Sequence, residues 1–286
     1  MKKNDVFTAE ITDMTLEGSG VTHIDGIAVF VPNTAIGDVV EIKIVKALKS
    51  YSYGIVMNII KPSVYRINSN CKISDKCGGC TYRHISYEAE LALKKNIVEQ
   101  TFARIGNINV PCDDIIGSSR EDYYRNKAQY PFGEQGCGFY AKRSHRIIEC
   151  EECKLQPNIF DKIKEYIKQY AKKEKISPYN ELDGTGILRH IFLRIAESTG
   201  DIMLVLVATK NDKRFKSMIE PLIAKFDSIK TVVVNINDKN TNVILGNKCI
   251  TLYGEGYIID TLCGIQIKIS PLSFYQVNKL QAEVLY

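Results

Sequence analysis

A chain of 286 residues, 45% hydrophobic and 25% charged, can bury a sizeable core and exceeds the roughly 250 residues that one core ordinarily fills, so two domains are expected. No run approaches the roughly 20 apolar residues of a membrane helix, and the N-terminus MKKNDVFTAEITDM lacks the apolar stretch of a secretory signal; a cytoplasmic protein with no membrane partner is expected. The net charge of +5 divides into −2 over residues 1–60, +4 over 61–150 and +3 over 151–286, which excludes a gross polycation and requires any nucleic-acid footprint to be a local patch.

From Val6 to Ile60 the pattern predicts short strands, VFTAEITDM, GVTHI, IAVFVP, DVVEIKIVKAL and YGIVMNII, with Asp25-Gly26 as a tight hairpin turn. Five strands at this spacing suit an all-β OB-type barrel over residues 1–62, closed by Lys61-Pro62. Lys43, Lys46 and Lys49 with Tyr51 and Tyr53 form its one basic and aromatic cluster, readable as an RNA contact or as a solvated strand end.

The stretch CKISDKCGGC follows, with Cys71, Cys77 and Cys80, and CEEC adds Cys150 and Cys153 some seventy residues later. Nine cysteines, an odd number, in a chain without a secretory signature point to metal ligation before a disulfide framework. Three thiolates from one loop and a remote fourth, Cys153, suit an iron–sulfur cluster, with Gly78 and Gly79 letting the backbone turn its N–H groups toward sulfur. Zinc held by the pairs 77/80 and 150/153 is the competing reading, and it leaves Cys71 idle. Cys112, Cys137, Cys249 and Cys263 show no partner in sequence and read as buried structural cysteines.

A helix is expected over 86–105, with Ser86 as N-cap, Glu88 and Glu90 in the first turn and an apolar face of Leu91, Val98 and Ile105. Beyond Pro111 the pattern is α+β, with helices near 156–174 and 212–226. GILRHIFLRIA and DIMLVLVAT form a hairpin around Thr199-Gly200, and TVVVNIN, NVILG and IQIKIS are further strands. In PLSFYQVNKLQAEVLY a last helix starts, with Val277, Leu280 and Val284 on one face, and its end at Tyr286 without a stop signal reads as truncation. No G-x-G-x-x-G fingerprint, Walker loop or G-x-S-x-G elbow occurs.

The barrel followed by CKISDKCGGCTYRHISYEAELALKK, YRNKAQYPFG, GFYAKRSHRIIECEEC, GILRHIFLRI and SFYQVNKLQAEVLY resembles the RNA uracil-C5-methyltransferases that use S-adenosyl-L-methionine. The resemblance covers essentially the whole chain and is closest to the 23S ribosomal RNA branch with an N-terminal TRAM barrel and a [4Fe–4S] cluster. It implies cluster ligands at Cys71, Cys77, Cys80 and Cys153, with Cys150 free, and contact with the methyl donor at Gln276. It also implies a TRAM barrel over 1–62, a central α+β domain over 63–270 whose helix 86–105 packs on the catalytic domain, and the start of that domain over 271–286. The remaining Rossmann-like methyltransferase domain, with the nucleophilic cysteine and general base, is expected to be missing, so the chain would hold no catalytic residue and be inactive alone. The implied partner is 23S ribosomal RNA, with no obligatory protein partner. Phosphate contacts are expected at Arg125, Lys127, Lys142, Arg143 and Arg146, with Arg189, His190 and Arg194 as weaker candidates. Two alternatives stand beside this: a non-enzymatic RNA-binding iron–sulfur or zinc protein, and a tRNA-directed enzyme of the same family.

Overall fold

Alternation of apolar and polar residues builds the first strands of this computed structural model, which describes residues 1–286. The chain divides into two units, Met1–Asp75 with Cys80–Gly117, and Lys76–Gly79 with Ser118–Tyr286.

In the first unit, strands β1 (Val6–Glu10), β2 (Asp13–Met14), β3 (Ser19–Ile24), β4 (Ile27–Pro32), β5 (Val39–Ala47) and β6 (Tyr51–Lys61) form one sheet in the order β1-β5-β6-β4-β3-β2. All pairings are antiparallel except β4 with β6. Every second residue of β5 points inward, and Val40, Ile42 and Ile44 bury with Ile11, Val29 and Val31. Asp25 and Gly26, at φ 51° and 77°, make the hairpin turn that an Asp-Gly pair favours between β3 and β4.

Helix α1 (Tyr87–Gly106) is capped as expected, Ala89 N donating to the Ser86 side chain, but it runs past the expected end at 105 and stops at Asn107 in the left-handed conformation. Its buried face also differs from the heptad reading. Leu93, flanked by Ala89 and Ile97, packs with Met14, Ala35, Tyr82 and Ile85, whereas Val98, Phe102 and Ile105 are exposed.

The second unit is built on a seven-stranded sheet of β7 (Lys127–Gly133), β8 (Gly136–Tyr140), β9 (Ile147–Glu149), β10 (Leu188–Ile195), β11 (Ile202–Ala208), β12 (Ile229–Ile236) and β13 (Lys248–Tyr253), ordered β13-β12-β11-β10-β7-β8-β9. Only β11 and β12 run parallel. They are linked by helix α3 (Lys213–Lys225), the crossover that a parallel pair requires. The expected β10–β11 hairpin is present, with Ile195 opposite Ile202. Period-2 alternation divides β11 between two cores. Ile202, Leu204 and Leu206 face α3 and helix α2 (Asn158–Lys173), while Met203, Val205 and Val207 face a second cluster with Ile258, Leu262, Ile269, Tyr275 and Ala282. The hairpin of β14 (Ile258–Leu262) and β15 (Ile265–Ile269) and helix α4 (Lys279–Leu285) contribute to that second cluster.

Three local expectations are corrected. NVILG is a loop, because Asn235 Nδ2 donates to the Gly246 carbonyl and Asn237 Nδ2 to the Val243 and Ile244 carbonyls, occupying groups a strand ladder would use. In α4 the buried residues are Lys279 and Ala282, and Val284 is exposed. Cys249 and Cys263 are exposed, one on the outward side of β13 and one in the β14–β15 turn at φ 50°; Cys137 is buried.

Gly138 sits where no side chain fits, since a Cβ there would stand 1.9 Å from the Ile148 carbonyl oxygen and 2.8 Å from Cys150 N. Gly138→Ala is therefore expected to pry β8 from β9 and cost about 1–3 kcal/mol or more. A urea-unfolding midpoint unchanged from that of the parent would refute this.

Candidate functional site

The segment that the sequence reading marks for donor contact, Ser273 to Asn278, is held along its backbone from several directions. A turn of paired serines starts it, Ser273 N donating to the Ser270 carbonyl and the two hydroxyls lying 2.8 Å apart. Arg194 Nη2 donates to the Ser273 carbonyl at 2.7 Å, Asn126 Nδ2 to the Gln276 carbonyl at 2.9 Å, and Asn126 N to the Val277 carbonyl at 2.9 Å. Arg125 bridges to Asn278, whose side chain caps α4 by accepting from Gln281 N. Tyr275 is buried and donates its hydroxyl to Asp260 at 3.0 Å. Its neighbour Phe274 is 84% exposed, and half-buried Gln276 donates Nε2 to the Tyr286 hydroxyl at 3.1 Å.

Cations gather beside this segment. Lys127 on β7 lies opposite Arg194 on β10. Burial, and then the charges of Arg194 and Arg125, push the Lys127 ammonium below its usual range. Burial also lowers Arg194 to about 10, and its Nε and Nη1 have no hydrogen-bond partner. Glu197 is pushed upward, chiefly by burial, against the pull of Arg120, whose Nη1 is 3.9 Å away. Unpaired positive charge of this kind suits an anionic ligand.

The other expected nucleic-acid residues fall in separate places. In the first unit Lys43 and Lys46 lie on β5, and Lys49 lies in the exposed turn before β6. Beside them Phe30, Tyr51 and Tyr53 form a ring cluster with centroids 5.7–5.8 Å apart. In the second unit Lys142, Arg143 and Arg146 are all exposed in the β8–β9 turn. That turn is fastened by His145 Nδ1 against Glu181 at 2.5 Å, and the Tyr140 hydroxyl also reaches Glu181. Arg189 is 4% exposed, stacks on the Tyr179 ring and donates Nη1 to the Asn237 and Lys239 carbonyls. His190 is buried, which lowers its pKa to about 4.

Cys71 and Cys80 belong to the first unit, Cys77 and Cys153 to the second. The sulfurs of the latter two both meet backbone N–H groups. Cys77 Sγ accepts from Gly79 N at 3.3 Å. The Cys150 thiol and the Leu155 and Gln156 N–H groups hold Cys153 below the usual thiol range against the effect of burial, while the same contact drives Cys150 upward. The loop is anchored on α2: Cys153 N donates to Asp161, and Lys164 Nζ donates to both the Cys150 carbonyl and Asp161. No group of three or more His, Cys, Asp or Glu side chains stands together as a metal site would require.

Residues 2–57 match the TRAM domain. That TRAM-like segment covers β1 to β5 and most of β6. Along its whole length the chain is similar to curated proteins called uncharacterized RNA methyltransferases. One, from Halalkalibacterium halodurans, is 41% identical over 292 residues, covering 100% of this chain and 64% of the relative. Another, from Clostridium tetani, is 39% identical, covering 100% and 63%. The chain thus spans about 63–64% of the length of these relatives. Among solved structures, the fold is similar to that of the Pyrococcus abyssi tRNA (uracil-54, C5)-methyltransferase in complex with S-adenosyl-L-homocysteine. The TM-score is 0.74 at 24% identity, covering 97% of this chain and 63% of that one.

This likeness corrects the expected fold class. The architecture of barrel plus α+β domain with the methyltransferase domain missing does not stand, because 97% of the chain follows a methyltransferase structure. The expectation that the chain is inactive alone loses its support with it. No helix is long and apolar enough to cross a membrane.

Sequence reasoning missed Asp260, Asn126, Asp161 and Lys164. Asp260 left one faint signal, a lone carboxylate in the apolar run YIIDTLCGI. The i, i+3 spacing of Asp161 and Lys164 was available as a pair but gave no hint of its burial.

Proposed function

We propose that this chain belongs to an S-adenosyl-L-methionine-dependent RNA (uracil-C5)-methyltransferase, acting on 23S ribosomal RNA. The observation that carries the reading is the pinned 273–278 segment, which presents Gln276 and an exposed Phe274 beside Arg125, Lys127 and Arg194. Similarity along the whole of this chain to proteins called RNA methyltransferases supports it. Uracil C5 becomes nucleophilic only after a thiolate adds to C6, and a base must then take the C5 proton. Neither role is assigned to a residue of this chain. S-adenosyl-L-methionine supplies the electrophilic methyl group, and Gln276 orients it through its side-chain amide. Lys127, Arg125 and the β8–β9 turn with Lys142, Arg143 and Arg146 contact phosphate in the second unit. In the first unit, Lys43, Lys46 and Lys49 do so beside the Phe30, Tyr51 and Tyr53 rings, on which bases stack. Buried Arg189 is left out of this set.

The [4Fe–4S] reading of Cys71, Cys77, Cys80 and Cys153 rests on their sequence pattern and on the N–H groups at Cys77 and Cys153. Methyl transfer needs no electron, so the cluster's role would be structural. Anaerobically purified protein is expected to be brown with iron and sulfide in equal amounts; colourless, zinc-loaded protein would return the site to the zinc reading.

A transcript of a 23S ribosomal RNA hairpin and a tRNA transcript, each given S-adenosyl-L-methionine, separate the possible substrates. 5-Methyluridine in the ribosomal transcript alone supports the proposal, and in tRNA alone moves it to the tRNA-directed alternative. RNA bound without any donor binding would support the non-enzymatic alternative. Gln276→Ala is expected to weaken S-adenosyl-L-homocysteine binding about tenfold or more, the loss of a hydrogen bond to a charged ligand; equal affinity would remove Gln276 from the donor site.

A further inference from the structure

Asp260 is the least accessible carboxylate around the 273–278 segment, and none of its contacts is to solvent. It lies in β14 at 0% exposure. One oxygen accepts from Ser198 N at 3.0 Å, Thr261 N at 2.9 Å and Lys279 Nζ at 3.3 Å. The other accepts from Glu197 N at 3.2 Å and the Tyr275 hydroxyl at 3.0 Å. One side chain thereby joins the turn after β10, strand β14, the middle of the 273–278 segment and the first residue of α4.

We propose that Asp260 is a positioning residue: its buried carboxylate fixes Tyr275 and Lys279, and so sets where Phe274 and Gln276, the chain neighbours of Tyr275, are presented to ligand. The proposal deepens the donor-site reading given above and rests on it for the identity of the ligand.

Chain alternation supplies the lever. Tyr275 is drawn into the apolar cluster with Ile258, Leu262 and Ile269, leaving Phe274 84% exposed on one side of it and Gln276 half-buried on the other. Apolar packing alone would bury the Tyr275 ring without fixing its depth or rotation. The hydrogen bond to Asp260 fixes both, because a buried hydroxyl has one good partner and loses much by leaving it. Lys279 acts at the far end, where its ammonium on the same carboxylate holds the start of α4 and hence the Asn278 cap. The carboxylate stays ionised because burial, which opposes charge, is outweighed by the Ser198, Tyr275 and Thr261 hydrogen bonds. At 0% exposure Asp260 offers no surface to a ligand, so its effect passes through Tyr275.

The chain contains no tryptophan, so Phe274→Trp in the full chain places a single indole fluorophore on the segment. In that background Asp260→Asn keeps the shape but turns an NH2 group toward donors. It is expected to add a fast component to the anisotropy decay of the introduced indole and to weaken S-adenosyl-L-homocysteine, titrated by indole emission and by calorimetry, about tenfold. Tyr275→Phe, which removes a single hydroxyl, is expected to shift both readouts in the same direction by about threefold, and it carries the test if Asp260→Asn does not fold. An unchanged anisotropy decay together with unchanged affinity in the folded variants overturns the proposal. If the decay loosens while S-adenosyl-L-homocysteine binds neither these variants nor, by calorimetry, the parent chain with Phe274 in place, the donor reading fails and the positioning role stands. If the ligand binds equally in every background, the donor reading survives and the positioning role falls.

Discussion

Lys164→Met is expected to destabilise the protein by about 3–5 kcal/mol, the cost of leaving a buried ionic partner uncompensated. Lys164 lies on α2 with its side chain 2% exposed, a position an amphipathic helix normally gives to an apolar residue. Its aliphatic stem serves as core, packed so that Nζ stands 5.0 Å from the Tyr130 ring centre. The ammonium donates to the Cys150 carbonyl and to Asp161, and Asp161 in turn accepts from Cys153 N at 3.0 Å. Methionine would fill the stem's volume while stranding the Asp161 carboxylate and the Cys150 carbonyl together. The damage should therefore be concentrated in residues 150–153. Two measurements check this: the urea midpoint should fall, and hydrogen exchange at Cys153 should quicken more than at β11. The double variant Lys164→Met with Asp161→Asn, which removes both charges, should recover part of the loss. A double variant as unstable as the sum of the singles would show that the two side chains act independently.

What the sequence made legible was whatever a few neighbouring residues decide. Asp25-Gly26 sets its own turn, Ser86 caps α1 through a residue three positions on, and two strand-like runs on either side of Thr199-Gly200 declare the β10–β11 hairpin before any partner is known. Where the partner is distant, local pattern failed. NVILG has strand composition, yet Asn235 and Asn237 claim its carbonyls from the neighbouring strand. The sevenfold spacing of α1 points to Leu91, Val98 and Ile105, while the burial follows Ala89, Leu93 and Ile97 because Tyr82 and Met14 stand on that side. The candidate site divides in the same way. Gln276 and the basic residues could be named from motif and charge, but Asp260, whose partners are 15, 19 and 62 residues away, carries no local mark of its task. The cysteines show the limit most directly: spacing groups four of them in sequence, whereas two fall in each structural unit.

Arg66→Ala is expected to cost about 3–5 kcal/mol by the same physics in the first unit. Asp38, at the start of the β5 region, is 0% exposed. Its carboxylate accepts from Ala35 N at 2.7 Å, Ser63 N at 2.8 Å, Arg66 Nε at 3.1 Å and Arg66 Nη2 at 2.5 Å. Burial alone would raise its pKa, but the Arg66 side chain and the Ser63 and Ala35 N–H groups reverse this and hold it below the usual range. A carboxylate depressed in the folded state contributes stability above its unfolded pKa, near 3.9. That contribution is lost as pH falls through the folded value. Asp260, depressed likewise, adds to the same acid limb. The parent protein should thus hold a level stability at neutral pH and lose it progressively below about pH 4. In Arg66→Ala the loss should begin at higher pH, because a buried Asp38 without its guanidinium is governed by desolvation and takes up a proton more readily. Asp38→Asn should lower neutral-pH stability and also flatten the acid limb, since its amide cannot titrate. Thermal midpoints of the three proteins between pH 3 and 7 test this ordering, and an Arg66→Ala curve parallel to the parent at every pH would show that the ion pair is not what keeps Asp38 charged.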